Sequence, residues 1–258
     1  MKVKIMGIAG SLRKGNTDIL VNECLRAARE LKDVETEFVR LIDYKIDGGC
    51  VACYKCFKSA DPLEKLCQAY RDDLNKILER MLTADGFIFG CPVYWGSLTW
   101  KMEEFIDRTH PIFAANRALR NKTAGAVTVA LGRNAGQHHV IDILHRFIMF
   151  HDMIPIGASV VWPAEGCASP WGAEGVQGWP QAISSTKPES LTAVKQDVLA
   201  LAAARNLGKR VAEMTKVIKA GFTLVNPENG ETEWPYGKLS EADLEKAGDV
   251  HYAYRKQT

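Results

Sequence analysis

The sequence predicts an open α/β fold: a doubly wound, five-stranded parallel sheet followed by a C-terminal helical and irregular extension. Three observations predict it. Short apolar runs alternate with helical patterns along the first 160 or so residues, the order of a parallel sheet covered on both faces. The runs at 3–8, 86–89 and 123–131 are largely unbroken, as strands buried on both sides are. Each is followed by a loop of small and polar residues, and doubly wound sheets bind ligands beyond the carboxyl ends of their strands.

The elements follow in order. Residues 3–8, closed by Gly10, read as the first strand. Ile19, Leu20, Cys24, Ala27, Ala28 and Leu31 recur at helical spacing and predict a helix over 18–32. Residues 35–42 alternate as a second strand, and Leu74, Ile77, Leu78 and Met81 share one face of a helix over 72–82. The third strand, 86–89, lies between Asp85 and Gly90. A helix over 100–109, a strand over 123–131, a helix over 137–150 and a fifth strand over 154–161 complete the sheet. Leu191, Val194, Val198, Leu201, Leu207, Val211, Met214 and Ile218 predict a long helix over 190–219. Residues 1–220 are expected to form one domain with a cysteine-rich insert at 47–70 and a long loop at 162–189, and 221–258 a tail.

Composition narrows the functional classes. At 258 residues, 47% hydrophobic and 25% charged, the chain has an ordinary globular makeup. A formal charge of +2 leaves no basic footprint for nucleic acid. No stretch approaches the ~18 uncharged apolar residues of a membrane span. The Gly-rich turn near the start comes too early for a signal peptide. Seven cysteines, odd in number and unevenly placed, do not read as a secreted disulfide framework, so a cytoplasmic location is expected.

Three loops carry the candidate chemistry. The first, residues 10–17, precedes a helix whose N-terminal amides and dipole favour a phosphate, with Ser11, Asn16 and Thr17 as side-chain donors and Arg13 as a charged one. An ordinary capped turn uses the same residue types. The glycines are misplaced for a nicotinamide fingerprint, and no Gly-Lys-Ser/Thr occurs there, so a monophosphate tail fits best. The second loop, 91–97, sets Pro92, Val93, Tyr94, Trp95 and Gly96 to present amides and ring faces to a planar heterocycle, or to form a packed turn. The third, 132–137, contributes Gly132, Arg133, Asn134 and Gly136.

Cys50, Cys53 and Cys56 follow the second strand at a three-residue spacing, with Cys67 farther on. Three chemistries fit: a [4Fe–4S] cluster, zinc, or free redox-active thiols. Gly48 and Gly49 permit close backbone approach, and Lys55 and Lys58 could offset thiolate charge. Cys24 reads as core and Cys91 as packing beneath the second loop, while Cys167 is open. His138, His139, His145 and His151 form no ligand stripe and read as surface or interface histidines.

The segments 10–17, 85–94 and 105–108 together resemble the NADPH-dependent FMN reductase family over roughly residues 1–160. The resemblance implies a flavodoxin-like fold, FMN with its phosphate on the first loop and its isoalloxazine against the other two, and a homodimer or homotetramer. The cysteine pattern is similar to the iron–sulfur flavoproteins, although those keep the fourth cysteine closer than Cys67. It implies Cys50, Cys53, Cys56 and Cys67 as cluster ligands. Flavin carries the chemistry, so no catalytic side chain is expected. Expected partners are NAD(P)H or a ferredoxin-type donor and a small-molecule or protein acceptor, with no nucleic acid or membrane. Without a cluster, reduction of quinones, flavins, azo or nitro compounds fits; a non-enzymatic carrier or sensor, or a flavin-free dehydrogenase, are the competing readings. Trp162, Trp171 or Trp179 is expected to cover the flavin or a subunit interface, or else the loop wraps its own domain.

Overall fold

The computed structural model describes residues 1–59, 62–115, 117–158, 172–176 and 191–225. The chain divides into a unit of Met1–Lys219 and a second of Ala220–Thr258, of which only the last turn of a helix is described. In the first unit, β1 (Val3–Ala9), β2 (Val34–Arg40), β3 (Gly86–Pro92), β4 (Thr123–Ala130) and β5 (Ile154–Pro155) lie in the order β2-β1-β3-β4-β5, every neighbouring pair parallel. Strand order reverses between β1 and β3, which defines the switch point of the sheet.

The fifth edge departs from the sequence expectation of one strand over 154–161. β5 pairs only with Thr123 and Ala124, and the edge resumes with β6 (Ala173–Val176), parallel to β4 at Val127–Ala130. β3 occupies the other side of β4 over Thr123–Val129, so β5 and β6 share one edge in two pieces. Four residues that include Glu174 and Gly175 carry too little apolar patterning to announce a strand.

Side chains alternate across the sheet. Met6, Ile8, Phe87 and Phe89 pack with α4 (Leu74–Thr83), α5 (Trp100–Asp107) and α7 (Gln137–Phe150). Ile5, Ala9, Ile88, Val127 and Val129 pack with α1 (Asn16–Ala28) and α8 (Val198–Val225). α8 begins later than the apolar pattern implies. Residues Ala193–Gln196 form a 3-10 turn, and Asp197 then accepts a bond from Ala200 N at 3.1 Å, the N-cap that starts the helix. α8 closes tightly on α1: a Cβ at Gly208 would stand 2.0 Å from Cys24 O. Cys24 is buried as expected, and burial pushes its thiol far up.

Three short helices lie between the main elements: α2 (Lys55–Lys58), α3 (Pro62–Lys65) and α6 (His110–Ala114). His151, read from sequence as a surface or interface residue, is instead buried within its own domain just past α7, between Phe147 and Phe113. Its Nε2 lies 2.9 Å from Thr109 Oγ1, and Nδ1 has no partner among the described residues. Burial, with a smaller push from His110, lowers its pKa to about 4.

Two outcomes follow from this packing. Between about pH 6.5 and 4 the unfolded chain protonates His151 and the folded chain does not, so stability falls as pH falls through that window, by up to about 1.4 kcal/mol per pH unit. His151→Gln, compared with wild type by denaturant unfolding at pH 7 and pH 5, should flatten the dependence. Gly208→Ala, although a better helix former, should destabilise by about 2 kcal/mol because the clash is with backbone.

Candidate functional site

Loops 10–15, 93–99 and 131–136 leave the carboxyl ends of β1, β3 and β4, so they gather on the edge where strand order reverses; Cys91 and Pro92, expected in the second loop, are the last residues of β3. In the first loop Ser11 is buried and its hydroxyl donates to Arg13 O at 2.7 Å while accepting from Arg13 N at 3.2 Å. Thr17 is buried in the first turn of α1, and Arg13 is exposed. Asn16 Oδ1 accepts from Val194 N at 3.0 Å, so this acceptor anchors the segment before α8. Among the described residues, the loop amides of Leu12 and Lys14 and the Thr17 amide have no acceptor, the last as the first turn of a helix leaves it. Asp18, one turn in, accepts from Gly15 N and pairs with Arg40 at 2.8 Å. Burial raises its carboxyl against that ion pair.

The second and third loops interlock. Tyr94 N donates to Ser97 O at 2.9 Å and Ser97 N to Tyr94 O at 3.0 Å, closing a two-residue turn with Trp95 (φ 52) and Gly96 (φ 78) at its tip. Both central residues are left-handed, as a type I′ hairpin turn requires. The Trp95 side chain projects fully into solvent. Gly136 (φ 104) packs on this turn: a Cβ there would lie 2.8 Å from Gly96 Cα. Asn134 is also left-handed, at φ 55. Gln137 organises the third loop, donating to Gly132 O at 2.7 Å and accepting from Ala135 N at 2.8 Å. The Val93 and Tyr94 amides are committed to Val129 O and Ser97 O, so the protein itself uses the first two amides after Pro92.

Thr99 ties the first loop to the second. It caps α5 by accepting from Met102 N at 3.2 Å, and its hydroxyl donates to Gly10 O at 2.6 Å. Thr99 N donates to Cys91 Sγ at 3.4 Å. Cys91 is buried beneath the second loop, where burial pushes its thiol up to about 12. A threonine directly before a helical run is an N-cap signal, so Thr99 was findable in the sequence as a cap although not as a tie.

The cysteine segment sits at the other end of α5. Cys50 and Cys53 are exposed, Cys56 and Cys67 partly buried. The backbone turns left-handed at Gly48, Ala52, Tyr54 and Leu66. Burial pushes the Cys56 thiol up, and Cys50 and Cys53 stand close enough to add to the rise. Among the described residues, no three thiol, imidazole or carboxylate groups form a metal-holding array. Cys67 is the anchored member. Its backbone exchanges two 3.1 Å bonds with the Asn75 amide, and its Sγ receives Arg108 Nε at 3.4 Å and Nη2 at 3.3 Å. Arg108 also grips Asp72; both side chains are 1% exposed. Burial acts to raise the Asp72 carboxyl, but Arg108 and the amides of Asp47 and Leu74 hold it below the usual carboxylate range. Nothing local in the sequence marks this pair, whose members lie 36 residues apart.

His138 and His139 are exposed as expected. Cys167, Trp162, Trp171, Trp179 and the tail from 226 lie outside the described residues. Among the described residues, no helix is long and apolar enough to cross a membrane.

A model of the family described as NADPH-dependent FMN reductase matches residues 3–166. An iron–sulfur flavoprotein of Methanocaldococcus jannaschii is 37% identical over 218 residues, covering 84% of this chain and 100% of that protein. The solved structure of RosB with a bound intermediate, 8-demethyl-8-formylriboflavin-5'-phosphate, has a TM-score of 0.58 at 17% identity, covering 99% of this chain and 88% of that one. A flavodoxin, WrbA-like protein of Agrobacterium tumefaciens has a TM-score of 0.51 at 16% identity, covering 84% and 99%. At these identities the two structures show a shared flavodoxin-like fold.

The tie at Thr99 can be measured directly. Thr99→Val keeps the shape but strands Gly10 O and removes the cap, and should lower unfolding free energy by about 2 kcal/mol in urea titrations.

Proposed function

Because the chain belongs to the NADPH-dependent FMN reductase family, we propose that its three carboxyl-edge loops hold FMN and that the protein acts as an oxidoreductase through it. The observation that carries this reading is the interlock of the second and third loops at Gly96 and Gly136, on the edge where strand order reverses. The residues present fit the group. The amides of Leu12 and Lys14 in the first loop and of Thr17 at the start of α1 suit a phosphate, with Ser11, Arg13, Asn16 and Thr17 around them. A Cβ at Gly96 or Gly132 would meet nothing within 4 Å, so room for a planar ring exists beside both.

When bound, FMN supplies the hydride or single-electron chemistry. The chain's part is to orient it. Pro92, Val93, Tyr94, Trp95 and Gly96 would face the ring on one loop and Gly132, Arg133, Asn134 and Gly136 on the other. The Trp95 and Gly96 amides, rather than those already committed at Val93 and Tyr94, would offset negative charge there.

The same reading assigns Cys50, Cys53, Cys56 and Cys67 to a [4Fe–4S] cluster that exchanges electrons with the flavin. The donor set supports it: four soft thiolate ligands, with left-handed residues at Ala52 and Tyr54 of the kind that turn backbone amides toward an anionic group. The exposed thiols of Cys50 and Cys53 fit a second reading, an NAD(P)H-dependent reductase of quinones, flavins or nitro compounds without a cluster, in which these cysteines stay free or redox-active. A dimer or tetramer belongs to both readings, and light scattering of the native particle checks it.

Anaerobic purification of the full chain, with absorption spectroscopy and assay of released flavin, iron and sulfide, separates these outcomes. The expected result is one FMN per chain with iron and sulfide. FMN without iron leaves the reductase reading, and a colourless protein removes both. Gly136→Val should weaken FMN binding at least about tenfold by fluorescence titration, since φ 104 and the 2.8 Å approach to Gly96 both exclude a side chain.

A further inference from the structure

The buried guanidinium of Arg108 spends its five N–H donors on three partners. Its Nη1 and Nη2 edge takes the Asp72 carboxylate in a fork, with Nη2 at 3.1 Å from Oδ1. Nη1 also donates to Gly48 O at 3.4 Å. Its Nε and Nη2 edge converges on the single sulfur of Cys67, at 3.4 and 3.3 Å. Tyr70 covers one face of the guanidinium, with its ring centroid 4.4 Å away. A neutral thiol is a weak acceptor, and two charged donors aimed at one sulfur match a sulfur that carries negative charge. The guanidinium plane is rigid and fixed by Asp72, so the sulfur it holds is fixed as well.

We propose that Arg108 is a positioning residue that holds Cys67 Sγ as the fixed ligand onto which Cys50, Cys53 and Cys56 assemble, and that its two N–H···S bonds set the cluster's reduction potential. The inference rests on the cluster reading above. The geometry separates the four cysteines into two kinds: Cys50 and Cys53 on a loop with left-handed turns at Ala52 and Tyr54 that leads to Cys56 in the short α2, and Cys67 bonded to the body of the domain through Asn75 and Arg108. The long spacer before Cys67 is then tolerated because Cys67 takes its place from α5 and the Asn75 side chain, not from its distance to Cys56. Asp107 of the same helix end lies against the loop base, where a Cβ at Gly49 would stand 2.8 Å from its Oδ2. Hydrogen bonds to ligand sulfurs tune cluster potentials, and positive donors favour the more negative, reduced form. Removing them therefore shifts the potential downward. The couple is a one-electron one, with the electron supplied by the titrant and no bond formed or broken.

Full-length wild type, Arg108→Gln, Arg108→Lys and Asp72→Asn are purified anaerobically. Iron, sulfide and FMN per chain are assayed, and each protein is then titrated with dithionite under EPR detection. Arg108→Gln should keep FMN and either lose iron and sulfide or shift the midpoint to more negative potential by a tenfold change in the equilibrium constant, about 59 mV. Arg108→Lys, which keeps the charge and loses the fork, should change in the same direction by less. Asp72→Asn, which keeps both donors to sulfur, should stay nearer wild type than either. Should Arg108→Gln also lose FMN, as a misfolded chain would, the Lys variant carries the comparison. Wild-type iron content and potential in the Arg108 variants overturn the proposal alone, as does an equal shift in Asp72→Asn, which marks a merely structural ion pair. A wild-type protein holding FMN but no iron or sulfide overturns the cluster reading and this inference with it.

Discussion

The reversal of strand order between β1 and β3 is the constraint on which the rest of this protein depends. From β1 the chain steps to β2 on one side, then returns past β1 to build β3, β4 and the split edge on the other. The helix after β1 and the helix after β3 are thereby sent to opposite faces, and their preceding loops diverge from the point where Thr99 bonds Gly10 O. Doubly wound sheets bind ligands at the carboxyl edge of such a reversal. On that edge the first loop leads into the start of α1, and the turns at Gly96 and Gly136 interlock.

α5 connects this edge to the cysteine segment. At its start, Thr99 bonds the first loop at Gly10 and the second at Cys91. At its end, Asp107 faces Gly49, and Arg108 just beyond it holds Cys67 and Asp72. Eight helical residues at about 1.5 Å each place these two ends about 12 Å apart along one rigid element. A change in the sulfur environment and a change at the carboxyl-edge loops therefore act on the same short helix. The buried Arg108–Asp72 pair suits this position. Breaking a buried pair leaves an unpaired charge, so the helix end has one stable arrangement.

Periodicity read most of the sheet and its helices correctly, because strands buried on both faces must be apolar and helices on a sheet must be amphipathic. Helix 137–150 coincides with α7, and the Gly-rich and Pro-rich loops were placed at the strand ends where they occur. It failed where the signal was short or distant. β6 has four residues with a glutamate and a glycine among them, and its strand character comes only from lying beside β4. His151 was misread because a histidine at the end of an exposed helix face looks solvated until Phe113 and Thr109 cover it. The candidate loops were legible as segments, but the commitment of Asn16 to Val194 was not, since that partner lies 178 residues away.

By itself the sequence determined the alternating α/β order, the three glycine-containing loops at the strand ends and the grouping of four cysteines in one segment, because each depends on residue types close together in the chain. Only the tertiary structure decided which backbone amides the protein uses for itself, that Gly136 must approach Gly96, and that Cys67 differs from the other three cysteines. Those outcomes depend on pairs such as Arg108 with Asp72 and Cys67, brought together by the sheet from separate crossovers. Spacing along the chain carries no trace of a contact that exists only once the helices have packed.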